Sequence, residues 1–125
     1  MKETNETEDK NIEEKAETQP KNIKPKIELK EDKVIVTLGG PITFNGEKIG
    51  KIELDFNSIT GAEICEAESE SLGKFFTPLP DVNYSTAYQA AIAAKASGIP
   101  FEAILELKSK DFRVITECTK GFLLG

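Results

Sequence analysis

The pair Asn45-Gly46 lies between two runs of alternating apolar residues, and few two-residue sequences limit a chain so narrowly. Both central positions of a two-residue type I′ turn need positive φ, which Asn and Gly adopt at least cost. Val34, Val36, Leu38, Ile42 and Phe44 alternate before the pair and Ile52, Leu54 and Phe56 after it, so a β-hairpin over about residues 33–56 is predicted. An unbroken register from Phe44 opposite Glu47 would put Leu38 against Glu53 and turn Ile52, Leu54 and Phe56 to the wrong face. One extra residue at Gly50 or Lys51 restores a single apolar face, with Leu38 opposite Leu54 and Val36 opposite Phe56, so the predicted hairpin is bulged. Ile27 and Leu29 supply either a short extension or a third strand, with Lys30-Glu31-Asp32-Lys33 as the intervening turn.

Helical punctuation follows. Thr60 and Glu63 have the spacing of a capping box and open a helix over about residues 60–72, with Ile64, Cys65 and Leu72 as its buried stripe and Gly73 as its stop. Lys74 to Val82 contains Pro78 and Pro80 and reads as a loop, whose Phe75, Phe76 and Leu79 either plug the core or stand out as an anchor. A second helix, about 85–97, is dense in alanine. Ala87, Ala91, Ala94 and Gly98 line one side for close helix packing, and Tyr84, Tyr88 and Ile92 form a row expected beneath the hairpin. Pro100 suits the first turn of a short third helix, about 101–107. Ser109 is the expected cap of a fourth, about 110–123, with Asp111 set against the helix dipole. The expected fold is therefore α+β: a bulged hairpin followed by a small bundle of about four α-helices.

Composition separates this domain, about residues 27–125, from what precedes it. Residues 1–26 are nearly all charged or polar, with Ile12, Ala16 and Ile23 as the apolar side chains after Met1, and are expected to form a disordered charged tail. The net charge is −6 and Arg113 is the single arginine, which argues against nucleic acid as a ligand. An apolar run of a signal peptide or of a membrane span is not seen, so a cytosolic protein without a membrane partner is expected. Cys65 and Cys118 are expected as buried, reduced thiols.

The chain has no histidine, which removes the commonest general base and metal ligand together. Gly39-Gly40 precedes a proline and a strand rather than a helix with Lys-Ser/Thr, and so reads as a flexible or bulged strand, not a phosphate loop. Glu63, Glu66, Glu68 and Glu70 are spread around their helix as a solvated face. No enzyme activity, metal or cofactor is expected. Apolar helical surface without chemistry points to protein binding, and the candidate contact residues are Phe101, Ile104, Leu105, Phe112, Ile115, Phe122 and Leu123, with the domain's own core as the competing role for the same side chains.

Residues 33–125 carry, in order, Pro41-Ile42-Thr43-Phe44-Asn45-Gly46, Ile59-Thr60-Gly61-Ala62-Glu63, Ser85-Thr86-Ala87-Tyr88-Gln89-Ala90-Ala91 with Ala94-Lys95-Ala96-Ser97-Gly98-Ile99-Pro100, and Lys110-Asp111-Phe112 leading to Gly121-Phe122-Leu123-Leu124. This order resembles the small tail assembly chaperones of tailed bacteriophages, of the class found in Mu-like phages. The resemblance implies a non-enzymatic protein of the host bacterial cytoplasm, absent from the mature virion, that binds the tape-measure protein and keeps it soluble until the tail tube forms around it. It also implies possible homo-oligomers and, in many relatives, a longer frameshifted product. The charged tail is a departure from the family core. The alternatives are a structural tail component, such as a tube or terminator subunit, and a cytosolic protein-binding adaptor.

Overall fold

The computed structural model describes residues 24–75 and 80–125. An antiparallel sheet of β1 (Lys26–Lys30), β2 (Lys33–Phe44) and β3 (Glu47–Leu54), in that spatial order, is followed by α1 (Gly61–Lys74), α2 (Thr86–Ser97), the single turn α3 (Phe101–Ile104) and α4 (Ser109–Leu124). The fold class is α+β, as expected. Ile27 and Leu29 belong to a true third strand, and Lys26, assigned to the tail from composition, already starts it. Both hairpin turns use consecutive residues at positive φ: Glu31 and Asp32 (52° and 69°), then Asn45 and Gly46 (51° and 83°). Of the tail, residues 1–23 lie outside the described residues, as do Phe76 and Leu79 of the loop.

The bulge falls on the other strand from the one the register predicted. Thr37 pairs with Lys51 and Ile42 with Ile49, so Leu38-Gly39-Gly40-Pro41 in β2 face Gly50 alone. Val34 pairs with Leu54 and Val36 with Ile52, whereas Phe56 has left the sheet for a 3₁₀ turn over Phe56–Ser58. The alternation of apolar residues demands a register shift but is silent on which strand absorbs it. The physical reason it falls in β2 comes from α4. Gly39 N–H donates to Asp111 Oδ1 and Gly40 N–H to Asp111 Oδ2, each at 2.9 Å, so the amides freed by the bulge are bound by a carboxylate that is 1% exposed. A Cβ at Gly40 would stand 2.8 Å from Lys108 Cγ, so a larger residue there would have to displace that side chain.

Cross-strand partners share a face, and Ile27–Val36–Ile52 and Leu29–Val34–Leu54 form two apolar rows across the sheet. Val36, Ile52 and Leu54 are buried, whereas Ile27 and Leu29 are 53% and 80% exposed. Helices α2 and α4 pack on β3 and β2, and their cover ends before β1.

Helix α2 is the centre of the molecule. Ser85 caps it through the Tyr88 N–H, Gly98 ends it at φ 76°, and every residue from Tyr88 to Ala94 is buried. The alanines therefore serve packing on all sides rather than along one stripe. Tyr88 and Ile92 join the core, but Tyr84 sits in a 3₁₀ turn before the helix and is exposed.

Helix α1 begins with the predicted capping box: Thr60 Oγ1 accepts from Glu63 N–H, and Glu63 Oε1 accepts from Thr60 N–H. Its buried residues are Ala67 and Ser71, while Cys65 and Leu72, expected in its apolar stripe, are exposed. Small side chains replace large ones here because the facing α2 approaches closely. Lys95 of α2 then reaches Glu66 at 3.1 Å and Glu70 at 3.8 Å on the rim.

Helix α3 is shorter than its predicted span, because Glu106 N–H and Leu107 N–H bond three residues back, to Ala103 and Ile104, and tighten the chain into turns. Helix α4 starts one residue early. Lys108 occupies the cap position with no side-chain bond, so Ser109 is the first helical residue instead of the cap.

The Asp111 carboxylate should be worth more than an ordinary hydrogen-bonding group. Asp111→Asn keeps the shape but aims an NH₂ at one of the two glycine amides, which leaves a buried donor without an acceptor. The expected loss is about 2–3 kcal/mol of unfolding free energy, read from urea denaturation. An unchanged midpoint would mean that the clamp contributes nothing net.

Candidate interaction surface on the last helix

One face of α4 is dictated by burial: Asp111, Ile115, Thr116 and Thr119 point inward. Thr119 Oγ1 satisfies itself on the Ile115 carbonyl at 2.9 Å, which allows a polar side chain at a fully buried position. The opposite stripe, Lys110, Arg113, Glu117, Gly121 and Leu124, is exposed. Between these faces Phe112 is half-buried, and it looks into an open groove of about 390 Å³ between α4 and the start of α2.

The far wall of the groove is formed by Tyr84, Thr86 and Gln89, and the 3₁₀ turn Val82–Tyr84 that carries Tyr84 is held through its middle residue. Asp81 Oδ1 accepts from Asn83 N–H at 3.0 Å, and Gln89 Nε2 donates to the Asn83 carbonyl at 2.8 Å. The turn is therefore held against α2, and Tyr84 is presented at 57% exposure on the rim. Lys110, Arg113 and Lys120 stand along the α4 side. Lys120 is engaged by Glu117 at 3.6 Å, whereas Lys110 and Arg113 form no ion pair among the described residues. In a chain of net charge −6, the groove is thus a local concentration of positive charge beside two aromatic rings. Such a surface suits a segment that presents a carboxylate next to an apolar side chain.

The seven residues singled out from sequence divide. Phe101, Ile104 and Ile115 are in the core of the domain, with no surface to offer a partner in this fold. Leu105, Phe112 and Leu123 are half-buried against the core. Phe122 is 39% exposed, and its ring stacks on Phe56 with centroids 4.8 Å apart and planes 11° apart. That contact ties the end of α4 to the 3₁₀ turn after β3. Periodicity identified the apolar face of α4 but not which members the sheet and α2 would cover. Tyr84, Lys110 and Arg113 were missed as partners of Phe112. The one available signal was the position of the single arginine one residue beyond Phe112.

Among the described residues no group of three His, Cys, Asp or Glu side chains is placed to hold a metal ion, and no helix is long and apolar enough to cross a membrane. Comparisons of the chain with protein-family models, with curated proteins and with solved structures find no match.

The two thiols differ. Cys65 is exposed on α1, contrary to the expectation of two buried cysteines, and Cys118 is half-buried. Burial, and secondarily the charge of Glu117, pushes the Cys118 thiol up; burial and then Glu68 likewise raise the Tyr88 hydroxyl. Lys95 is also raised, first by its hydrogen bond to Glu66, against an opposing effect of burial. All three groups hold their protons more tightly folded than unfolded. Their contribution is complete below the unfolded values, which start at about 8.5 for a thiol, and is lost as pH rises through the folded ones. Stability is therefore expected to fall from about pH 8.5 upward, with Cys118→Ser delaying the onset. Titration with a thiol reagent in native buffer should label Cys65 quickly and Cys118 only as the domain opens. Equal rates would place both thiols at the surface.

Proposed function

We propose that this protein is a bacteriophage or prophage tail assembly chaperone that binds the tape-measure protein and keeps it soluble during tail morphogenesis. The observation that carries the reading is the ordered set of motifs over residues 33–125, each of which falls where an element starts, turns or stops. Pro41 to Gly46 end the bulge and form the hairpin turn, Thr60 to Glu63 are the capping box of α1, Ser85 to Pro100 run from the cap of α2 to the start of α3, and Lys110 to Leu124 span α4. Local signals that agree with the elements they fall in are consistent with motifs that specify this fold.

The groove supports the same reading physically. A tape measure is a long helical chain whose apolar stripes are uncovered before assembly, and covering such stripes prevents aggregation. In this proposal a client helix lays an apolar anchor against Phe112 and Tyr84 and a neighbouring carboxylate against Lys110 and Arg113, a helix-in-groove contact repeated by several copies along the client. The net negative charge keeps the complex soluble. The chaperone acts in the host cytoplasm and is left out of the finished particle.

Co-expression with a candidate tape-measure protein, followed by pull-down and a solubility assay, tests the reading. The wild-type chain is expected to retain the client. Lys110→Glu with Arg113→Glu, both at the surface, should reduce recovery at least about tenfold at unchanged melting temperature. Failure of the wild-type chain to hold the client would sink the proposal, and stoichiometric amounts of this chain in purified virions would instead favour a structural tail component.

A further inference from the structure

The outer edge of β1 is unpaired among the described residues, and the two apolar rows of the sheet run out onto it at Ile27 and Leu29. Long exposed edges with apolar side chains template pairing with another strand. The charges on the opposite face of β1 show which strand fits. Lys30 lies directly across from Lys33, a like-charge pair, and Lys33 is already drawn to Glu53 at 3.8 Å. Glu28 lies across from Ile35. Among the described residues neither Glu28 nor Lys30 has an ion-pair partner.

We propose that β1 pairs antiparallel with β1 of a second copy about a two-fold axis at Leu29, so that Leu29 meets its own counterpart and each Glu28 meets the other copy's Lys30. Antiparallel edges related by an axis perpendicular to the sheet keep corresponding faces on the same side. The helix-covered faces of both copies then align, and the two Leu29 side chains meet in the gap between the helical layers, with Ile27 of each beside the other copy's Glu31. The registers one step either way are poorer. A dyad at Glu28 pairs Ile27 with Leu29 but opposes Glu28 to Glu28 and Lys26 to Lys30, and a dyad at Lys30 opposes Lys30 to Lys30 and sets Leu29 against Glu31. The chain's own residues 1–23 are a worse occupant, because after Met1 their apolar residues, Ile12, Ala16 and Ile23, contain no alternate-residue pair to continue the rows. The dimer does not depend on the tape-measure reading, since it uses the sheet edge and not the α4 groove.

A short ladder makes a small interface, so association should depend on concentration. Sedimentation equilibrium of the full chain over roughly 1–300 µM is expected to pass from monomer toward dimer, a range set by interfaces at the low end of size. Leu29→Glu should leave a monomer throughout. Glu28→Lys should weaken the dimer about tenfold by opposing two lysines twice, a cost of about 1.4 kcal/mol, and adding Lys30→Glu to it should restore the wild-type constant. These positions are exposed, so circular dichroism should be unchanged in every variant. A wild-type monomer at all concentrations, a dimer indifferent to Leu29→Glu, or rescue of Glu28→Lys by Lys26→Glu instead of Lys30→Glu would each overturn the proposal.

Discussion

A single buried carboxylate joins the two halves of this protein. Asp111 accepts from the amides of Gly39 and Gly40, residues more than seventy positions away in sequence, and so fixes the first turn of α4 against the bulge of β2. A bulge leaves backbone donors without strand partners, and an unpaired buried donor is costly. A carboxylate at the start of a helix is favoured by the helix dipole but must still be solvated when it is buried. Each element supplies what the other lacks. Because the clamp sets the position of α4, it also sets the groove that Phe112, Lys110 and Arg113 form with the turn before α2.

The second constraint is the closeness of α2 to everything around it. A helix buried all round can be surrounded by a sheet and three helices within a short chain only if its side chains are small, and alanine is also the best helix former. The consequence reaches α1, whose contacting residues are Ala67 and Ser71 while its larger residues face outward. Ion pairs from Lys95 to Glu66 and Glu70 line the rim of this contact. They add alignment more than stability, as exposed pairs do.

Surface chemistry follows from where cover runs out. The helices cover β3 and β2 and stop before β1, and they leave a cationic groove between α4 and the start of α2. The proposed client contact and the proposed self-association therefore use different parts of the molecule, an α4 groove and a sheet edge. A chaperone that dimerises through one surface while holding a client with another could line a long target with paired copies, each individual contact remaining weak.

Much of the fold was legible in the residues because local chemistry fixes local geometry. Asn45-Gly46 determined a turn, Thr60 with Glu63 a helix start, and alternation the existence of a bulge. What only the tertiary structure decided is everything that depends on a partner distant in sequence. The bulge lies in β2 because Asp111 is there to bind its amides; Phe101, Ile104 and Ile115 are core because a sheet and α2 cover them; Ile27 and Leu29 are bare because the helices end short of them. Periodicity states that a side chain is apolar and on which face it lies, but burial is a relation between two surfaces, and only one of them is written in the local sequence.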